Sequence, residues 1–337
     1  MKIYDKNGWV NWKDIVSGNE SFISVVGARG VGKTYGLMRY LIEQNEPFVY
    51  LRRLQTQIDI CGSQAGNPFK KLNTDLGIYI YPEKHGKMLE FDVGDGEAKK
   101  TVALGVSLST VATVRGFDFS GYNYIVFDEF IPMAGEKSIK NEFNAFLNLY
   151  ETINRNRELE GFQAVKAVLL GNANQLVNPY FSGWQFTKIA VRMIRGKQMV
   201  YRTQDNSRMM ILLLDSPISQ RKRSTALYTN ANDGFLSMAL DNAFRTDETQ
   251  IGSKPLKEYL HIVSVGEIGI YKHKVNGDWY ISSVKQSPCF DDYGFGLKQF
   301  FSAYYYLRAF YISQKNFTFE TFELELLFRE YLGINSY

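Results

Sequence analysis

Eight residues near the N-terminus, Gly27-Ala28-Arg29-Gly30-Val31-Gly32-Lys33-Thr34, fill the pattern G-x-x-x-x-G-K-[ST] completely. The glycines let consecutive backbone N–H groups turn inward around an anion without a Cβ clash. A helix starting near Lys33 adds the positive end of its dipole. Lys33 is then a point charge for β- and γ-phosphate oxygens, and the Thr34 hydroxyl is a ligand for Mg²⁺. The chemistry implied is binding of ATP with Mg²⁺. The competing reading, a glycine-rich turn without ligand, is disfavoured because a β-rich run precedes the pattern and a helical run follows it.

A second constellation lies further on. Tyr124-Ile125-Val126-Phe127-Asp128-Glu129 is an apolar run ending in two acids. A buried strand of this kind delivers both carboxylates to the sheet edge that carries the phosphate loop. Asp128 then belongs to the Mg²⁺ shell, and Glu129 orients the attacking water. Kinases and GTPases with such a loop need no second acid here, so the pair favours an ATPase with a catalytic glutamate. The chain between Thr34 and Tyr124 has room for the extra strand this branch inserts.

Other charged and polar residues have two readings each. Arg155 and Arg157 flank Asn156 at the end of a helical run. One of them reaches a neighbouring subunit's phosphoryl group, or both are solvated residues favoured at a helix C-terminus. Arg115, before a Gly-Phe-Asp-Phe turn, has the same two readings. Asn172 follows a strand where a polar side chain bonds both γ-phosphate and water, or is a plain loop asparagine. Arg52 and Arg53 end a strand beside the site, where a structural ion pair is at least as good an account.

The elements that must position these groups are legible from pattern. Ser21–Val26, Pro47–Leu51, Tyr124–Phe127 and Val165–Leu170 read as buried strands. Leu76 to Leu108 reads as hairpins, with turns at His85-Gly86 and Asp95-Gly96. Phe143, Phe146, Leu147, Tyr150 and Ile153 mark one apolar helix face. Alternating strands and helices predict a three-layer α/β domain with a largely parallel sheet. Residues 188–223 hold nine basic and two acidic side chains, a net +7 in a chain whose total is +4. That stretch reads as a connector. The division expected is 1–187, a basic connector or lid over 188–244, and a small domain over 245–337. In that last part a small antiparallel sheet lies between Glu258 and Val284, turning at Asn276-Gly277, and Phe300–Leu332 reads as helical.

Composition bounds the rest. The 337 residues are 45% hydrophobic and 22% charged, which excludes wholesale disorder and fibrous repeats. Two distant cysteines offer no disulfide framework, and three scattered histidines offer no zinc spacing. Without a signal core or a long apolar run, the expectation is a soluble intracellular protein that uses no membrane.

Five stretches, VVGARGVGKTYGLM, FVYLRR, YIVFDEFI, LNLYETINRNRE and GNANQLVNPYF, resemble the DNA-packaging ATPases (encapsidation proteins) of phi29-like podophages. They cover about the first 180 residues. A fainter echo is SQRKRS followed by FLSMALDNAF at Phe235–Phe244. The resemblance implies a RecA/terminase-like P-loop ATPase sheet, with a second α+β domain of RNase H-like shape. It further implies a homopentameric ring on a procapsid portal that drives double-stranded DNA, in some relatives with a structural RNA, in the host cytoplasm. It places Arg155 on the arginine finger and Arg115 on a basic position near the neighbour's nucleotide. Two-metal nuclease chemistry needs convergent carboxylates. The strand Tyr259–Val265 has none and only Asp291-Asp292 follows as a pair, so the second domain is expected to be nuclease-dead. The +7 stretch, with Arg221, Lys222 and Arg223, and Lys70, Lys71, Lys99 and Lys100 on loops, are expected DNA contacts. Two rivals stay open: a helicase or recombinase-like P-loop ATPase acting on single strands, and a scaffold that binds nucleotide only to order its oligomer.

Overall fold

The computed structural model describes residues 1–114, 116–133, 136–174, 176–230, 250–313 and 316–334. Apolar runs too continuous for a half-exposed strand become the middle of a large sheet: β1 (Phe22–Gly27), β6 (Tyr124–Asp128), β7 (Lys166–Gly171) and β9 (Arg208–Leu213) are buried almost throughout. With β2 (Phe48–Arg52), β3 (Ile80–His85), β4 (Met88–Val93), β5 (Lys100–Ser107) and β8 (Val200–Arg202) they form nine strands in the order β3-β4-β5-β2-β6-β7-β1-β9-β8. The five strands from β2 to β9, and β5 beside β2, pair in parallel. The expected hairpins β3-β4-β5 are antiparallel and finish one edge, while β8 finishes the other.

Side chains alternate across the sheet, so each strand feeds two cores. Ile23, Val25, Val126 and Val168 pack with Leu37, Met38 and Leu41 of α2 (Lys33–Glu43) and with Trp12 and Ile15 of α1 (Trp12–Val16). On the opposite face Phe22 and Phe127 meet Phe146 of α5 (Glu142–Asn154), at ring distances of 6.3 and 5.7 Å. Shorter helices complete the run along the chain, α3 (Gln55–Cys61) and α4 (Lys70–Leu76) after β2, α6 (Pro179–Gly183) and α7 (Thr187–Arg195) after β7. This is the three-layer arrangement expected. The helix face on α5 is rotated from the one the sequence implied: Phe146, Leu149 and Ile153 are buried, whereas Phe143 and Leu147 are only half-buried. The sheet sets the contact line, and Leu149 lies on it.

Of the expected division 1–187, 188–244 and 245–337, the break at 244/245 is also where the compact units part, whereas the break at 187/188 is not. One holds the described residues of Met1–Asn174 and Arg192–Phe244, the other those of Gln175–Val191 and Arg245–Tyr337. The cause is β9, which pairs with β1 from Phe22↔Arg208 to Gly27↔Leu213. The middle of the basic stretch is thus core of the first unit, and its charges stand at the ends of apolar elements. Phe235–Phe244 lies outside the described residues.

The second unit carries a six-stranded sheet in the order β10-β15-β13-β12-β11-β14. There β11 (Tyr259–Val265), β12 (Ile268–His273) and β13 (Trp279–Ser282) are the expected antiparallel meander. Parallel neighbours make the sheet mixed: β14 (Asp291–Asp292) beside β11, β15 (Phe317–Phe319) beside β13, and β10 (Gln250–Ile251) beside β15. The tail is therefore not helical throughout. Its helices Leu297–Ala303, Tyr305–Ile312 and Phe322–Tyr331 are interrupted by β15, whose Phe317 and Phe319 pack on Phe328.

One ion pair in the first unit lies fully inside. Arg53 Nε and Nη2 donate to both oxygens of Glu142 at 2.6 and 2.8 Å, and Nη1 is 2.9 Å from Glu136. Removing one partner of such a pair leaves a buried charge, at a cost of about 3–5 kcal/mol. Arg53→Met is expected to lower the urea midpoint accordingly, while adding Glu142→Gln restores part of the loss. A midpoint unchanged by Arg53→Met would show that the pair carries no such burden.

Candidate nucleotide site

Strand β1 leads directly into the glycine loop, whose Gly30 and Gly32 take φ of +67° and +87°, conformations costly for any residue with a Cβ. Gly32 is the N-cap of α2 and brings no side-chain cap, so the first N–H groups of the helix remain for an anion. Lys33 folds back over the loop and is 8% exposed. Its Nζ donates to the carbonyls of Gly27 (2.8 Å) and Ala28 (2.7 Å) and to Asn172 Oδ1 (3.0 Å). Burial lowers its pKa to about 7, against the pull of Asp128 and Glu129 and with the push of Lys222 and Arg29. Val31 is fully buried beneath the loop, and Arg29 is exposed on it, touching Met133 Sδ.

The two constellations read from sequence meet here. Asp128 Oδ1 accepts from the Thr34 hydroxyl at 2.7 Å. Its Oδ2 accepts from Tyr50 (3.0 Å) and from Arg52 Nη1 (2.9 Å). Burial raises the Tyr50 phenol well above its ordinary range, so it stays a donor. Arg52 Nη2 lies 2.5 Å from Glu129 Oε2, so one guanidinium spans both acids. Glu129 itself has φ +55°, a left-handed turn that swings it off the strand axis just after Asp128. Its side chain is 48% exposed, open to water and ligand. A hydroxyl and a carboxylate oxygen at hydrogen-bonding distance, beside a buried ammonium with only neutral oxygens around it, fit a hard cation and a polyphosphate.

Arg52 is the functional neighbour that the sequence left between two readings. Its signal was register: Leu51 pairs with Phe127 in parallel strands, so the next residues, Arg52 and Asp128, stand level. Tyr50 and Lys222 had no such signal.

Arg155 and Arg157 separate clearly. Arg157 donates to Asn123 Oδ1 and to the carbonyls of Phe119, Ser120 and Tyr122, clasping the loop before β6. Arg155, at φ +47° just past α5, is exposed and donates to Phe117 O at 2.7 Å. Helix α5 begins at Glu142, tied to Arg53 at the end of β2. It ends at Asn154, whose side chain accepts from Val165 N at the start of β7. Thirteen residues place Arg155 about 20 Å from the phosphate-loop edge of its own subunit. There it lines a polar groove of about 1040 Å³ with Arg157, Lys166, Glu20 and Glu158. Arg115 lies outside the described residues.

Fold and site together define a P-loop ATPase, with β7 inserted between the phosphate-loop strand β1 and the acidic strand β6. The chain belongs to the family described as Podovirus DNA encapsidation protein (Gp16), which matches residues 4–295. It is 26% identical over 282 residues to the DNA packaging protein of Bacillus phage phi29, covering 82% of this chain and 76% of that one. With the DNA packaging protein of Bacillus phage B103 it is 27% identical over 262 residues, 76% and 73% of the two chains. Two solved structures share its fold. The Phi-28 gp11 DNA packaging motor has a TM-score of 0.58 at 19% identity, covering 99% of this chain and 100% of that one. The bacteriophage Phi-29 viral genome packaging motor assembly has a TM-score of 0.58 at 21% identity, covering 96% and 99%.

The depressed Lys33 pKa has a measurable consequence. Without ligand, the ammonium begins to lose its proton as pH rises through about 7. A bound polyphosphate favours the charged form, so binding above that pH takes up a proton and weakens as pH rises. Calorimetry of ATP binding at about pH 8, in buffers of different ionisation enthalpy, is expected to show uptake of less than one proton per site. Lys33→Arg is expected to abolish it. Equal uptake in both proteins would refute the assignment.

Proposed function

We propose that this protein is the ATP-driven motor that moves double-stranded viral DNA into a procapsid. The observation carrying the proposal is the 2.7 Å contact between Thr34 and Asp128, which joins the phosphate loop to the acidic strand of a DNA encapsidation family member. ATP lies in the cradle of Gly27, Ala28, Arg29, Gly30, Val31 and Gly32. Thr34 and Asp128 hold Mg²⁺, whose contribution is to neutralise charge on the phosphates. Lys33 exchanges its loop carbonyls for phosphate oxygens. Glu129 accepts a hydrogen bond from the attacking water, and Asn172, which here accepts from Lys33 at 3.0 Å, bonds the γ-phosphate and that water. In the pose seen here Arg52 holds the Glu129 carboxylate, so hydrolysis requires that grip to loosen.

The developing charge on the transferred phosphoryl group calls for a further cation beside Lys33. Arg155 supplies it to the next subunit of a homopentameric ring, a reading supported by its distance from its own loop. Arg115 is offered as a second basic group near that neighbour's nucleotide. The ring sits on the portal of the procapsid, in the host cytoplasm, with DNA gripped through its phosphates since any sequence must pass. The second unit serves docking or DNA contact without nuclease activity. Of its acidic pair, Asp291 accepts from Tyr304 at 2.5 Å. The basic residues offered as a DNA grip are redistributed: Arg221 donates to Asn7 O and Lys222 to Arg29 O, both within the ATPase unit. Among the described residues no helix is long and apolar enough to cross a membrane.

Glu129→Gln is expected to bind ATP while turnover, measured as phosphate release with duplex DNA and portal-bearing procapsids, falls by about 10²-fold or more. Retained turnover would remove Glu129 from the mechanism, and wild-type turnover blind to duplex DNA would remove the motor. Arg155→Ala is expected to bind ATP and stay inactive alone. Mixing it with Lys33→Ala subunits, which still donate Arg155, is expected to restore activity through the mixed interfaces. Activity of Arg155→Ala alone would end its role as a finger.

A further inference from the structure

Three cations crowd the glycine loop, and one of them comes from far along the chain. After β9 the chain turns into α8 (Pro217–Lys222), capped by the Ser216 side chain on Ser219 N. This segment is fastened to the N-terminal region by Tyr4, whose hydroxyl donates to Leu214 O at 3.1 Å, and by Arg221, which donates to Asn7 O at 2.6 Å. Lys222 alone of these reaches the phosphate loop, its Nζ donating to Arg29 O at 2.9 Å. It lies so close to Gly30 that a Cβ there would be 2.1 Å from Nζ, so this approach requires a glycine at the crest of the loop. Among the described residues no carboxylate pairs with Lys222. Lys222 and Arg29 both act on Lys33, and burial lowers the pKa of Lys222 itself.

An ammonium partly taken from water and held by one neutral carbonyl gains most from an anion that comes within hydrogen-bonding reach. The N–H groups at the start of α2 cradle the α- and β-phosphates. The crest at Arg29 and Gly30, where Lys222 waits, is left for the distal end of the triphosphate. We propose that Lys222 is a second phosphate-binding lysine, acting within its own subunit. It leaves the Arg29 carbonyl for the terminal phosphate of ATP and so ties α8 to the nucleotide state. The proposal rests on the nucleotide site and adds a residue to it.

Lys222→Gln keeps a donor for the Arg29 carbonyl and removes the charge, so a merely structural pin survives it. Lys222→Arg keeps the charge. Binding of ATP and ADP is read by displacement of a fluorescent nucleotide, with Lys33→Ala as reference. Lys222→Gln is expected to weaken ATP by about tenfold, the scale of one charge-assisted hydrogen bond, and ADP by less than about threefold. Lys222→Arg is expected to stay within about threefold of the parent for both. Wild-type ATP affinity in Lys222→Gln, or equal weakening of ATP and ADP, overturns the proposal. Should the parent protein and Lys33→Ala bind ATP equally, the nucleotide site itself is refuted, a separate result.

Discussion

A buried ammonium with no anion in contact is the constraint on which this molecule is arranged. Lys33 is held by two loop carbonyls and an asparagine, all neutral oxygens. Neutral oxygens compensate a desolvated charge only in part, and the lysine answers by releasing its proton more easily. The nearest acids are kept one step away. Asp128 is occupied by Thr34, Tyr50 and Arg52, and Glu129 by Arg52. A direct pair between Lys33 and an acid would relieve the charge and close the cradle to phosphate. The sheet prevents this by fixing both acids in a network of their own.

That network depends on parallel register. Strands β2 and β6 lie side by side and end together, so an arginine and two acids arrive at one edge and the arginine offsets part of the acids' charge while the site waits. The left-handed turn at Glu129 then separates two adjacent acids into different tasks, one facing Thr34 and one facing solvent and Arg52. A residue with a Cβ in that conformation stores local strain of about 1–3 kcal/mol, which a functional position tolerates. The same sheet puts Arg155 at its opposite edge, by way of a helix that spans it. A group so placed stands away from the phosphate loop of its own chain.

The basic stretch teaches what charge alone conceals. Its net +7 describes a real segment, yet that segment includes a buried strand beside β1, an edge strand and a short helix docked beside the phosphate loop. Positive charge near a polyphosphate site and positive charge for a DNA grip look identical in composition. Distance to the loop distinguishes them, and Lys222 falls on the nucleotide side.

What the residues alone determined was whatever is encoded locally. The phosphate loop is eight consecutive positions whose chemistry tolerates little else. The acidic strand announces itself by four apolar residues and two acids, and the central strands by apolar runs that only a covered sheet accepts. The hairpins followed from turn residues, and Asn172 from its place after a strand. What only the tertiary structure decided depends on residues far apart in sequence. The bridging of both acids by Arg52, the buried support of Tyr50, the clasp of Arg157 as against the exposure of Arg155, and the approach of Lys222 are set by strand order and register. The return of residues 192–244 to the first unit has the same reason. A strand reached late in the chain inserts beside the first one, and no local pattern says which neighbour a buried strand will choose, because backbone hydrogen bonding is alike for every partner.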